Sequence, residues 1–104
     1  MNEIHIRVQD KPAGTLIKLA ANEFLFRYKD GYTGDPVSLT MPVQKTEYHY
    51  DTFPPFFEGL LPEGEMLDGL LRQNKIDRND LFTQLAAVGA DMVGAVTAHD
   101  EDER

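Results

Sequence analysis

Residues 54–65 read PPFFEGLLPEGE, and this apolar string between prolines organises the second half of the chain. Proline is tolerated in the first turn of a helix, so the two prolines at its start predict a helix entry. Apolar residues then recur at helical spacing as far as Pro62, which ends or bends that helix. The string therefore predicts a short helix followed by a turn that is rigid at Pro62 and flexible at Gly64.

Two more helices are predicted beyond Pro62. The first runs from Glu63 to Asn74, and its apolar face is made of Met66, Leu67, Leu70 and Leu71. Asp77 is a natural N-cap for the next helix, whose apolar stripe consists of Leu81, Phe82, Leu85 and Val88. Gly89 suits the position after its last turn. The segment from Val93 to Ala98 is β-prone and is predicted to return to a sheet.

The first half of the chain alternates polar and apolar residues with a period of two, which is typical of half-buried strands. Strands are predicted over Glu3–Val8, Thr15–Ala20 and Glu23–Tyr28. Asp10–Gly14 has the composition of a turn, and Ala21-Asn22 suits a two-residue hairpin. Within the third strand the alternation places three aromatic rings on one face, those of Phe24, Phe26 and Tyr28. Another alternating segment is formed by Val37, Leu39 and Met41.

These segments predict an α+β fold, in which a small antiparallel sheet of four or five strands carries about three short helices. We expect one domain over residues 1–99 and a charged tail over residues 100–104. The side chains predicted to form the core are Leu25, Phe26, Leu39, Phe57, Leu60, Leu70, Phe82 and Leu85.

The composition restricts the possible functions. The chain has 104 residues and a formal net charge of −8, and residues 53–104 carry four bases against eleven acids. Such an excess of acid argues against direct binding to nucleic-acid phosphates. The lack of cysteine excludes disulfides, thiolate zinc sites and a cysteine nucleophile. Neither a membrane span nor a signal peptide is predicted, so we expect a cytoplasmic protein.

Residues that could carry chemistry do not form a recognisable site. His5, His49 and His99 lie far apart and lack the spacing of a helical metal site. Glu63 and Glu65 suit a helix N-terminus, where acids complement the helix dipole, better than an acid–base pair. Phosphate-binding and kinase signatures are absent from the sequence. We therefore predict a binding protein without catalytic, cofactor-binding or metal-binding residues.

Two strings carry a family resemblance. The first is the PPFFEGLLPEGE string of residues 54–65, and the second is DLFTQLAAVGADMVGAV at residues 80–96. Together they resemble the N-terminal subdomain of the HipA-type toxin kinases, whose members read close to FFxxLLPEG and then DxFxLLAxxGxDxxGA. The resemblance covers about residues 20 to 98.

The resemblance implies a role as well as a fold. A HipA-type kinase continues into a kinase domain, whereas this sequence stops at Arg104. It is therefore similar to the stand-alone form of the subdomain, HipS, which acts in three-part systems with a separate kinase, HipT, and a DNA-binding protein, HipB. The resemblance implies a non-catalytic antitoxin that neutralises a HipT-like Ser/Thr kinase within a complex containing a HipB-like helix-turn-helix protein. DNA contact would then belong to the HipB-like protein.

The turn Pro62-Glu63-Gly64-Glu65-Met66 is the candidate kinase-binding segment. Relatives often carry a bulky aromatic residue directly after Pro-Glu-Gly, where this chain has Glu65 and contains no tryptophan. The sequence therefore does not predict an aromatic wedge here. Either Glu65 meets basic or metal-binding parts of a nucleotide site instead, or this position is weakened for binding. The simpler interpretation is an exposed helix start without a role.

Two other functions remain open. The chain could be a structural module that bridges kinase and repressor without inhibiting the kinase. It could also be an acidic decoy for a basic nucleic-acid-binding surface, which only the charge of its second half supports. A neighbouring reading frame for a kinase that lacks this subdomain would argue against the decoy.

Overall fold

A computed structural model describes residues 2–89 and 94–99 of the chain. Within these residues five antiparallel strands form one sheet, which carries three helices. The strands are β1 Glu3–Val8, β2 Lys11–Ala20, β3 Glu23–Tyr28, β4 Glu47–Tyr50 and β5 Val96–His99. The helices are α1 Pro55–Glu58, α2 Gly64–Asn74 and α3 Leu81–Val88. The sheet order is β4-β3-β2-β1-β5, and the predicted α+β fold is confirmed.

The β1–β2 connection differs from the prediction. The turn consists of Gln9 and Asp10, both with positive φ (52° and 65°), and not of Asp10–Gly14. Residues 11–14 belong to β2, which places Pro12 inside a central strand. The strand register shifts beside Pro12, at the point where it pairs with Arg7. Proline is tolerated at such an irregularity because the ladder does not need its missing N–H there.

The aromatic face of β3 forms the base of the core, as predicted. Phe24, Phe26 and Tyr28 are buried on the same side of the sheet, where the helices lie. The Phe24 ring packs edge-on against Phe53, with centroids 5.4 Å apart, and the Phe26 ring lies 6.0 Å from that of Phe57 in α1. Burial of a phenylalanine side chain stabilises a fold by about 1.5–3 kcal/mol, so these contacts hold the helices on the sheet.

The core prediction is correct for most of its members. Five are buried, namely Leu25, Phe26, Phe57, Phe82 and Leu85. Leu25 lies outside the main cluster, because alternation along β3 directs it to the opposite face of the sheet from Phe24 and Phe26. Leu60 and Leu70 are half-buried. Leu39 was expected in the core but is 94% exposed, so that prediction is wrong.

The alternating segment around Leu39 is a loop and not a strand. Residues 31–46 contain no strand, and the edge strand β4, which the sequence did not predict, begins at Glu47. Val37 and Met41 are buried, but they reach the core from two legs of a loop. Their backbone groups bond to the Tyr28 hydroxyl, which accepts from Val37 N at 2.9 Å and donates to the Met41 carbonyl. A side chain thus replaces the strand partner that the alternation had implied.

Replacing Tyr28 with phenylalanine is expected to destabilise the protein by about 1–3 kcal/mol. The ring would keep its packing, whereas buried backbone groups of Val37 and Met41 would lose a partner. Burial raises the pKa of the Tyr28 hydroxyl, so it stays protonated and able to donate at neutral pH. Urea unfolding measures the change, and Tyr50→Phe is the matched control, because no described hydrogen bond involves its hydroxyl. Equal stability of Tyr28→Phe and wild type would contradict a stabilising role for the hydrogen bonds of the Tyr28 hydroxyl with Val37 and Met41.

The helices begin and end close to the predicted positions, with two differences. α1 ends at Glu58, so Leu60 and Leu61 lie in the turns after it. α3 is capped by Asp80 and not by Asp77: the Asp80 carboxylate accepts from the Thr83 backbone N–H at 3.1 Å. The Asp77 carboxylate instead accepts from the Asn79 backbone N–H, which forms a local turn before the helix.

Gly89 also differs from the prediction. Its φ is −58°, so it does not supply the left-handed conformation expected after a helix. The predicted strand over Val93–Ala98 appears as β5, which pairs with β1, but Val93 lies outside the described residues. The acidic tail over residues 100–104 lies outside them as well.

Candidate partner-binding site

The turn from Pro62 to Met66 joins α1 to α2 at the surface. Pro62 is half-buried, whereas Glu63, Gly64 and Glu65 are exposed. Glu63 is extended (φ −129°, ψ 167°), and Gly64 has a φ of +60°, a value that other residues rarely adopt. The five residues that the sequence singled out are therefore adjacent in space and accessible, and Met66 is 76% exposed.

The turn is attached to the core on one side only. On the α1 side, Phe57 is buried, and Leu60 N and Leu61 N donate to the carbonyls of Phe57 and Glu58 at 3.1 Å. On the α2 side, the bond from Leu67 N to the Glu63 carbonyl is long, at 3.4 Å. No side chain caps the start of α2. The turn is therefore held at its α1 end, and it exposes the first turn of α2 to solvent.

Helix α2 contributes no fully buried residue to the fold. Leu67, Leu70 and Leu71 are half-buried, although they were predicted as its apolar face. An ion pair between Asp68 and Arg78 links the exposed side of the helix to the segment before α3. Apolar side chains that remain half-open on an amphipathic helix are available for a contact with another protein.

The charged residues in and around the turn are all acidic. Residues 56–71 contain four acids and no base, the acids being Glu58, Glu63, Glu65 and Asp68. Glu58, Glu63 and Glu65 are exposed, and of the four acids only Asp68 forms an ion pair within the described part of the chain. Asp68 lies one turn further along α2, where Arg78 neutralises it. The unbalanced negative charge is thus concentrated at the turn itself, and it complements a basic surface.

The structure does not assemble the other candidate chemistry into a site. His5 on β1 pairs with His99 on the neighbouring strand β5, whereas His49 lies on β4 at the opposite edge of the sheet. Among residues 2–89 and 94–99, no three His, Asp or Glu side chains are grouped so that they could hold a metal ion. Likewise, no helix in the described part of the chain is long and apolar enough to cross a membrane.

A groove of about 460 Å³ lies between the β2–β3 hairpin and the start of α3. Its lining includes Lys18, Asn22, Asp77 and Asp80, together with the edges of buried rings. Asp80 already caps α3 through Thr83, and Asp77 bonds to Asn79. The groove contains none of the residues of the 62–66 turn, so it is a separate feature.

The loop that carries Leu39 is a feature that the sequence did not single out. The available signal was charge, since residues 36–44 contain no charged side chain in a chain that is 27% charged. The alternation of apolar residues concealed this signal, because it placed Leu39 in the core.

Comparison with known proteins identifies the fold and the family. The sequence profile of the HipA N-terminal domain matches residues 4–99. A solved structure described as the N-terminal domain of HipA toxin superposes with a TM-score of 0.75 and 28% identity, covering all of this chain and 96% of that one. An uncharacterized protein of Haemophilus influenzae is 36% identical over 80 residues, which is 77% of this chain and 76% of that protein.

A longer relative shows the same segment within a larger protein. Y4dM of Sinorhizobium fredii, named as a candidate kinase, is 29% identical over 106 aligned residues. The alignment covers 92% of this chain but only 26% of Y4dM, so the chain spans about a quarter of that protein. The resemblance that residues 54–65 and 80–96 carried is thereby confirmed. The chain belongs to the HipA N-terminal domain family.

Proposed function

We propose that this chain is a non-catalytic antitoxin subunit that binds and neutralises a HipT-like Ser/Thr kinase. It acts as a single folded domain over residues 1–99, and the complex also contains a HipB-like helix-turn-helix protein, which makes the DNA contact. Family membership supports a role related to toxin–antitoxin systems. The alignment with Y4dM supports a kinase as the partner, because there the same segment is part of a longer protein named as a candidate kinase.

The observation that carries the inhibitory role is the exposed acidic turn from Pro62 to Met66. A domain without its own chemistry stops a kinase by filling the catalytic cleft or by holding one lobe in an unproductive position. Glu63 and Glu65 supply negative charge, and Met66 supplies an exposed apolar side chain. A kinase surface that takes this turn would combine basic side chains with an apolar pocket, as nucleotide-binding clefts do.

The first experiment is co-expression of this chain with a HipT-like kinase, scoring bacterial growth and co-purification together. Growth rescue with co-purification is the expected result. Co-purification without rescue would favour the alternative, a structural module that bridges kinase and repressor. Neither rescue nor co-purification would overturn the proposed partner.

Glu65→Arg is expected to weaken kinase binding about 30-fold or more and to abolish rescue, because it places a base against a basic surface. Titration calorimetry with the purified kinase measures the affinity. Glu23→Arg is the matched control, since Glu23 is an exposed glutamate at the start of β3 and outside the turn. Equal affinity of the two variants would exclude the turn as the binding segment.

A further inference from the structure

Leu39 is the most exposed of the large hydrophobic side chains in the described part of the chain, at 94%. Isolated exposed leucines are common on protein surfaces, and exposure alone indicates no function. Leu39 differs because the residues two positions before and after it, Val37 and Met41, are both buried. The loop therefore directs its two flanking apolar side chains inward and presents Leu39 outward at its tip.

The Tyr28 hydroxyl fixes both legs of this loop at their base. It accepts from Val37 N and donates to the Met41 carbonyl, so one atom joins the two sides. The Tyr28 ring is itself held, with the Tyr32 ring stacked on it at a centroid distance of 5.7 Å and the Phe26 ring edge-on at 4.8 Å. The base of the loop is thus part of the hydrophobic core.

The tip is ordered by its own hydrogen bonds. Met41 N donates to the Ser38 carbonyl at 3.0 Å, and Thr40 N donates to Ser38 Oγ at 3.2 Å. The Ser38 and Thr40 hydroxyls lie 2.9 Å apart and bond to each other. A side chain presented by such a pre-ordered turn loses little conformational entropy when a partner covers it, which favours affinity.

The surroundings of Leu39 indicate the chemistry of the surface that covers it. Residues 36–44 are uncharged, so the tip offers one leucine within a rim of hydroxyl groups and prolines. Interface centres are depleted of charge in the same way. A second copy of this chain is a poor occupant, because a net charge of −8 opposes self-association.

We propose that the Ser38-Leu39-Thr40 turn is a second anchor for the kinase partner, with Leu39 seated in an uncharged apolar socket of that protein. This inference rests on the proposed function. The loop and the 62–66 turn cover the same face of the sheet, since Val37 and Met41 share one core cluster with Phe57 and Leu61. One partner can therefore contact both, using a basic region for the acidic turn and an uncharged socket for Leu39.

Titration calorimetry of the purified chain against the HipT-like kinase tests this anchor. Leu39→Ser is expected to weaken binding about tenfold or more, whereas Leu39→Met, which keeps an apolar side chain, is expected to stay within about threefold of wild type. Leu19→Ser is the matched control, because Leu19 is an exposed leucine in β2, outside the loop. Equal urea midpoints for all variants show that folding is unaffected.

The outcomes separate this inference from the function on which it rests. If wild type and Leu39→Ser bind equally while Glu65→Arg fails to bind, the Leu39 anchor is overturned and the antitoxin role stands. If wild type itself does not bind the kinase, both are overturned. Sedimentation of the chain alone tests whether a second copy of this chain covers Leu39. A dimer that Leu39→Ser abolishes would assign the Ser38-Leu39-Thr40 turn to self-association and overturn the kinase anchor.

Discussion

Replacing Phe82 with alanine is expected to lower the free energy of unfolding by about 3–5 kcal/mol. Phe82 is 3% exposed, and its ring stacks on Phe24 at a centroid distance of 6.2 Å. Removal of the Phe82 ring therefore leaves a cavity beside Phe24, whose ring in turn contacts Phe53. Because small domains are stable by only about 5–15 kcal/mol, this loss is a large share of the total.

Urea titration measures this change as a lower midpoint with an unchanged slope. Leu39→Ala is the control, since it removes a leucine that is already solvated and is expected to cost less than about 0.5 kcal/mol. A change well under 1 kcal/mol for Phe82→Ala would contradict the seating of α3 on the aromatic face of β3.

Replacing Gly89 with alanine is expected to destabilise the protein by about 3 kcal/mol, at the upper end for overpacked sites. A Cβ atom at Gly89 would overlap the Ala98 carbonyl oxygen and lie 2.5 Å from the Ala98 Cβ. It would also lie 2.8 Å from the Ala98 carbonyl carbon, so two of the three neighbouring atoms are backbone atoms of β5 and no side-chain rotation relieves the clash. The end of α3 or strand β5 would have to move away from its place at the edge of the sheet.

Gly69→Ala is the matched control, since it makes the same substitution inside α2. No atom lies within 4 Å of the position a Cβ would take there. Alanine is the better helix former, so this variant is expected to gain about 0.5–1 kcal/mol. Hydrogen exchange of the β1 and β5 amides identifies the element that Gly89→Ala releases. Destabilisation by both variants alike would show that the Gly89 contact with β5 is not the cause.

The local features of the candidate site were predictable from the sequence. Proline at position 62 and glycine at position 64 predicted a rigid and then flexible turn, and the structure shows Gly64 with a φ of +60°. The turn's exposure follows from its composition, because neighbouring glutamates are not buried without partners. Binding of a kinase depends on the partner's surface as well as on the turn, and Glu65→Arg tests it.

Other positions were mispredicted because side chains outside the local sequence pattern bond to their backbone groups. Val37, Leu39 and Met41 alternate as a strand would, but the Tyr28 hydroxyl binds both legs of the segment and makes it a loop. Asp77 was predicted as the N-cap because aspartate is a preferred residue type at that position. Gln84, which is buried, donates instead to the carbonyls of Asp77 and Arg78, and Asp80 caps α3, which begins at Leu81.

The sequence alone determined the spacing of apolar residues along most helices and strands, the aromatic face of β3 and the proline-bounded turn. It also determined the family that residues 54–65 and 80–96 resemble. These properties depend on residues close together in the chain, where side-chain spacing and φ preferences act directly. The tertiary structure decided the exposure of Leu39, the requirement for glycine at position 89 and the presence of β4. Each depends on a contact across the sheet or core, because burial and close approach arise only when distant segments meet.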